Sequence, residues 1–151
     1  MEEKELKEKL EELESELSDE RTEWNKIISG LASRIKDELK TAIQLEAEAV
    51  SRRQEVTEMI GNYSYEINKY LPTYKKAQKK CFEKYATSYQ IKVNATERKM
   101  VMEADLAFGA GKIKALENHI QFLIESRKTV DHVIWSVKNK IQLYNITEMY
   151  G

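Results

Sequence analysis

The chain has 151 residues, and its 25 Lys+Arg against 26 Asp+Glu leave a net charge of -1. One proline and five glycines give it little punctuation, which argues against a multi-turn β fold and for long helices. One cysteine excludes an internal disulfide framework, and the start MEEKELKEKL reads as too charged for a signal peptide.

No run of 18 apolar residues is present, so no membrane span or membrane partner is expected. A cytoplasmic protein is the default. The expected fold is all-α: a long-helix bundle with a coiled-coil-like N-terminal helix, a long amphipathic C-terminal helix, and an oligomeric state.

Residues 1–30 read as the coiled-coil-like helix. Leu6, Leu10, Leu13 and Leu17 are spaced 4, 3 and 4, and Trp24, Ile27 and Leu31 carry the stripe on. Glu20 falls where this seam wants a hydrophobe. Gly30 allows either a bend or one continuous helix, since Leu31, Ile35, Leu39 and Ile43 resume the period. Residues 31–151 read as a helical core domain. Within it, MIGNYSY at residues 59–65 is the best candidate break, with Gly61 and Asn62 as C-cap or turn. Pro72 is expected in a first turn or at a kink. Residues 73–89 read helical, and residues 88–96 are either a brief extended piece or further helix.

AFGAGK, residues 107–112, is expected to be a hinge or turn. The closing helix, residues 113–148, has the cleanest period. One seam holds Ile113, Ile120, Arg127, Ile134 and Ile141; the other holds Leu116, Leu123, Val130, Val137 and Tyr144. A helix of this length needs a long partner, either within the chain or in another copy. The expected oligomerisation residues are Ile113, Leu116, Ile120, Leu123, Val130, Ile134, Val137, Ile141 and Tyr144. Arg127 interrupts its seam and either specifies pairing, reaches a carboxylate or snorkels out. Trp24 and Trp135 are expected to pack.

Charge is distributed unevenly. Residues 1–23 carry a net -7 and residues 68–99 a net +7. In the basic segment, Lys75, Lys76, Lys79, Lys80 and Lys84 group on one broad helix face. Tyr70, Tyr74, Phe82, Tyr85 and Tyr89 lie among them. Lysines beside rings suit single-stranded nucleic acid, whose unstacked bases rest on aromatic faces while its phosphates are neutralised. The plain alternative is an ordinary solvated face, with Tyr74, Cys81 and Tyr85 packed inward as a core stripe.

No catalytic constellation appears, so an enzyme is not expected. GAGK at residues 109–112 lacks the early glycine and the trailing Ser or Thr of a phosphate-binding loop. His119 and His132 stand 13 residues apart, outside both seams, and suggest no metal site. Cys81 has no evident triad partner. No cofactor is expected.

Two stretches together resemble the phage recombination mediators of the UvsY type. One is LKTAIQLEAEAVSRRQEV…YKKAQKKCFEKYATSY, within residues 39–89. The other is ENHIQFLIESRKTVDHVIWSVKNKIQLYNITEM, residues 117–149. The resemblance implies a small helical protein forming a ring-like homo-oligomer that binds single-stranded DNA. It further implies loading of a RecA-like recombinase onto DNA coated by single-stranded-DNA-binding protein. In that family a basic stretch leads into a pair of tyrosines that help hold DNA. Lys80, Lys84, Tyr85 and Tyr89 are the nearest equivalents here, although the tyrosines are separated rather than adjacent. The full set of expected DNA contacts is Lys75, Lys76, Lys79, Lys80, Lys84, Tyr85, Tyr89 and Lys92. The competing reading is a non-enzymatic helical scaffold or adaptor, such as a phage structural or assembly component, that works by coiled-coil oligomerisation.

Overall fold

The computed structural model of the protein describes residues 3–87 and 106–150, the side chains of 85–87 excepted. Residues 88–96, read above as extended or helical, lie outside the described residues. Among the described residues the fold is all-α, with three long helices and no strand. Helix α1 is Glu3–Ser33, α2 is Leu39–Thr87 and α3 is Ala107–Tyr150. A short 3-10 turn, Arg34–Lys36, and extended Asp37 join α1 to α2.

The helix ends follow simple electrostatics. Glu3 and Glu5 occupy the first turn of α1, and Lys84 the last turn of α2, each opposite in sign to the local helix dipole. The Glu38 carbonyl accepts from the amides of Thr41 and Ala42 as α2 begins, and the Lys140 ammonium donates to the Ile35 carbonyl beyond α1.

The breaks expected at MIGNYSY and at AFGAGK are absent. Helix α2 runs unbroken through the MIGNYSY stretch, and Pro72 lies in its interior. Helix α3 begins at Ala107, so AFGAGK is helical rather than a hinge. Helix α1 likewise continues through Gly30. None of the glycines has a positive φ among the described residues. Propensity marks these positions as weak points, but packing elsewhere along each helix overrides a cost of about 1 kcal/mol per glycine.

The chain divides into two units. The first comprises residues 1–16 and 63–118, and the second residues 17–62 and 119–151. In the second unit, Arg53 pairs with Asp131 at 2.5 Å, and Thr57 accepts from Arg127 at 3.5 Å. Residue numbers rise on α2 as they fall on α3, so these segments are antiparallel. The core of this unit holds Leu31, Ala42, Leu45, Ala49, Val130, Val133 and Val137. Ile27, Ile28, Ile35, Leu39, Ile134 and Ile141 pack around it.

In the first unit, Glu66 meets Lys112, whose ammonium also sits 4.5 Å over the Tyr70 ring. Gly109 faces Tyr74 and Tyr70. A Cβ there would lie 2.5 Å from Tyr74 Cδ2 and 3.1 Å from the Tyr70 hydroxyl. At Gly111 a Cβ would lie 2.7 Å from Leu10 Cδ2. These glycines serve close helix approach, not a turn. Gly61 has nothing within 4 Å of such a Cβ. The same substitution should therefore have opposite signs at the two sites. Gly61→Ala should raise stability by about 0.5–1 kcal/mol through helix propensity. Gly109→Ala should lower it by about 1–3 kcal/mol, because a planar ring must move. Urea unfolding of both variants beside the parent tests this, and a stabilised Gly109→Ala would refute the close packing.

Candidate functional site

The buried positions of α3 define its central face. Leu116, His119, Leu123, Ser126, Val130, Val133 and Val137 are all buried, at spacings that alternate three and four. Of one expected seam, Leu116, Leu123, Val130 and Val137 are therefore buried as placed, whereas its fifth member, Tyr144, is exposed. The companion seam is not the expected line of isoleucines but His119–Ser126–Val133. Ile113, Ile120, Arg127, Ile134 and Ile141 are half-buried and flank the centre. Arg127 consequently reaches sideways to the Thr57 hydroxyl rather than interrupting the middle of a seam.

The companion seam escapes periodicity because two of its three members are polar. Both are satisfied locally. The Ser126 hydroxyl donates to the Phe122 carbonyl at 2.9 Å, one turn back. His119, at 0 % exposure, sits between two residues of α1. Its Nε2 lies 2.8 Å from Glu20 Oε2, and its Nδ1 lies 3.2 Å from an Arg21 guanidinium nitrogen. A guanidinium only donates, so Nδ1 accepts and Nε2–H donates to the carboxylate. That is the neutral ring. Burial pulls its pKa below the ordinary imidazole value. Glu20 opposes this by charge and hydrogen bond, and Arg21 adds to it. Glu20, the odd residue on the leucine seam, thus has its reason: it meets the one buried imidazole. No buried side-chain N or O among the described residues lacks a partner.

The expected oligomerisation residues divide by burial. Leu116, Leu123, Val130 and Val137 are spent inside their own chain, each at 0 % exposure, so none of them also forms an outward face. Tyr144 is exposed. The apolar surface left open on α3 is a different line: Trp135, Ile146 and Met149, with Leu143 and Tyr150 beside it. Trp135, expected to pack, is 66 % exposed, whereas Trp24 is buried as expected. On α2, Ile43 at 61 % and Val50 are also exposed, seven residues apart on one side of the helix. Val50 stands three residues before Arg53 and Trp135 four after Asp131. In this antiparallel pair of segments the two apolar side chains therefore lie about one turn from the Arg53–Asp131 pair, toward the same end.

The basic segment lies in the first unit. Lys75, Lys76, Lys79, Lys80 and Lys84 are all exposed, as is Lys69. At about 100° per residue these six fall within about half of the helix circumference. Lys75, Lys76, Lys79 and Lys80 form no ion pair among the described residues. The rings follow another rule. Tyr70 and Tyr74 are half-buried and Cys81 is buried, on the side opposite the lysines. The inward-stripe alternative thus describes Tyr74 and Cys81. Burial, with Tyr74 nearby, pushes the Tyr70 phenol above its ordinary range. The aromatics that share the lysine side are Phe82, 54 % exposed at its edge, and Tyr65, 68 % exposed and one turn before Lys69. Tyr65 escaped notice because it precedes the lysine run. The side chain of Tyr85, and all of Tyr89 and Lys92, lie outside the described residues.

Among the described residues no group of His, Cys, Asp or Glu is placed to hold a metal ion, and no helix is long and apolar enough to cross a membrane. No family model matches the chain, and no curated protein or solved structure matches it either.

Proposed function

We propose that the chain is a non-enzymatic helical scaffold or adaptor, such as a phage structural or assembly component, that acts by associating with further copies of itself. The observation that carries this is the apolar surface left outside a core that is already closed. Ile43, Val50, Trp135, Ile146 and Met149 are exposed on helices whose inward seams are filled. Large exposed apolar side chains in a line mark interaction surface, and an exposed tryptophan is a common binding anchor. Sedimentation velocity tests the reading. The parent should sediment above its 17.7 kDa monomer mass. Trp135→Glu combined with Ile146→Glu should give monomer with undiminished helical circular dichroism. A parent that is monomeric at every concentration would overturn it.

A second reading has its own observation. Lys75, Lys76, Lys79 and Lys80, exposed and without an ion pair among the described residues, with Tyr65 and Phe82 beside them, favour a single-stranded-DNA-binding recombination mediator. Its partners would be a RecA-like recombinase and a single-stranded-DNA-binding protein. Fluorescence anisotropy with labelled single-stranded and duplex oligonucleotides at two salt concentrations tests it. Replacing Lys79, Lys80 and Lys84 with alanine should remove most binding. Equal binding by parent and variant at low salt would reject it.

A further inference from the structure

We infer that the lysine face of α2 docks the acidic face of α1 from a second copy of the chain. Both faces belong to the first unit. On α1, Glu5, Glu8, Glu12 and Glu16 recur at spacings of 3, 4 and 4, and all are exposed. They lie on the side away from Leu6, Leu10 and Leu13, which are half-buried. None of these four glutamates has an ion pair among the described residues. On α2, Lys69, Lys76 and Lys80 form the matching line, with Lys75 and Lys79 beside it, equally unpaired.

The two lines have opposite sign and equal length. Glu5 to Glu16 and Lys69 to Lys80 each cover eleven residue steps, about 16 Å of helix. Within one chain both faces point away from the helices they pack against, so neither neutralises the other by direct contact. Two chains can do so, the α1 of one lying along the α2 of the next. Such a contact joins different surfaces, so each copy keeps one free face of each sign. It therefore propagates head to tail unless a rotation closes it into a ring.

The near-zero total charge favours this partner over a free polyanion. Residues 1–23 carry a net -7, so a polyanion approaching the lysines also meets a strongly repelling segment of the same chain. A second copy brings that segment as its counter-charge. Exposed pairs are individually weak and are screened by salt. The contact should accordingly form and dissolve with ionic strength, unlike the apolar one. The inference rests on the scaffold reading only in that copies of the chain associate.

The test uses the full chain and two charge-reversed variants. One carries Lys76→Glu and Lys80→Glu; the other carries Glu8→Lys and Glu12→Lys. All positions are exposed, and circular dichroism confirms the fold of each. The parent should associate at least about tenfold more tightly at about 20 mM than at about 300 mM salt. Each variant alone should lose this salt-sensitive association. An equimolar mixture should regain it, because the reversed α1 of one fits the reversed α2 of the other. Loss of fold does not produce that recovery. Association insensitive to salt and to both reversals would overturn the inference and leave the scaffold reading standing. A parent that is monomeric at both salt concentrations would overturn both. Recovery failing in the mixture, while the lysine variant alone stops binding a labelled single-stranded oligonucleotide, would give the lysine face to nucleic acid instead.

Discussion

Leu45→Ala should destabilise the monomeric chain by about 2–5 kcal/mol, while Ile43→Ala, two residues away, should change the stability of the monomer by no more than about 0.5 kcal/mol. Leu45 is 1 % exposed in the core of the second unit, between Ala42 and Ala49 on its own helix and near Val133 and Val137. Its removal strips transfer energy and leaves a cavity that flanking alanines have little volume to fill. Ile43 projects to water. Urea unfolding with a shared m-value reads both numbers. Comparable losses at the two positions would mean that the fold encloses both side chains of α2. A loss at Ile43 that appears only at concentrations where copies associate would come from the self-association surface proposed above, not from the core.

The second large effect belongs to the buried imidazole. Glu20→Ala should cost about 1–3 kcal/mol at neutral pH, because it removes the carboxylate that accepts from the buried Nε2–H of His119. The parent should also be acid-sensitive in a defined window. His119 has a folded-state pKa below its unfolded value, chiefly through burial. Above about pH 6.5, the ordinary imidazole value, the ring is neutral in both states and contributes no slope. As pH falls through that value the unfolded chain takes up a proton that the folded chain refuses. Stability is then lost until pH reaches the lower, folded value. One proton limits the slope to about 1.4 kcal/mol per pH unit. Urea midpoints at pH 7.5 and 5.5 should separate in the parent and draw together in His119→Leu. An unchanged separation in that variant would assign the acid sensitivity to other groups.

Much of this fold was legible in the sequence. Leu17, Trp24 and Leu31 on α1, and Leu116, Leu123, Val130 and Val137 on α3, are buried where heptad spacing places them. All-α composition and the scarcity of proline foretold the class. What sequence mislaid was punctuation and polarity. Gly61, Pro72, Gly109 and Gly111 resemble breaks, but each is held in a helix by contacts or by its neighbours along the chain, which local propensity does not see. His119 and Ser126 resemble surface residues because their partners, Glu20 and the Phe122 carbonyl, appear only once α1 lies against α3 or the helix closes its turn. In the basic segment the exposure of the lysines followed from charge alone. The inward aim of Tyr70 and Tyr74 did not, since a tyrosine suits a core edge and a wet face equally well.

The Glu20–His119 pair also weighs against slipped alignments of α1 along α3. Heptad seams made of leucine and valine fit one another almost as well after a slip of one turn. With the pair in place, such a slip sets a carboxylate against Leu123 and strands an imidazole among hydrocarbons, a mismatch no rearrangement of aliphatic side chains repairs. One polar rung thus acts as a detent on an otherwise greasy rail.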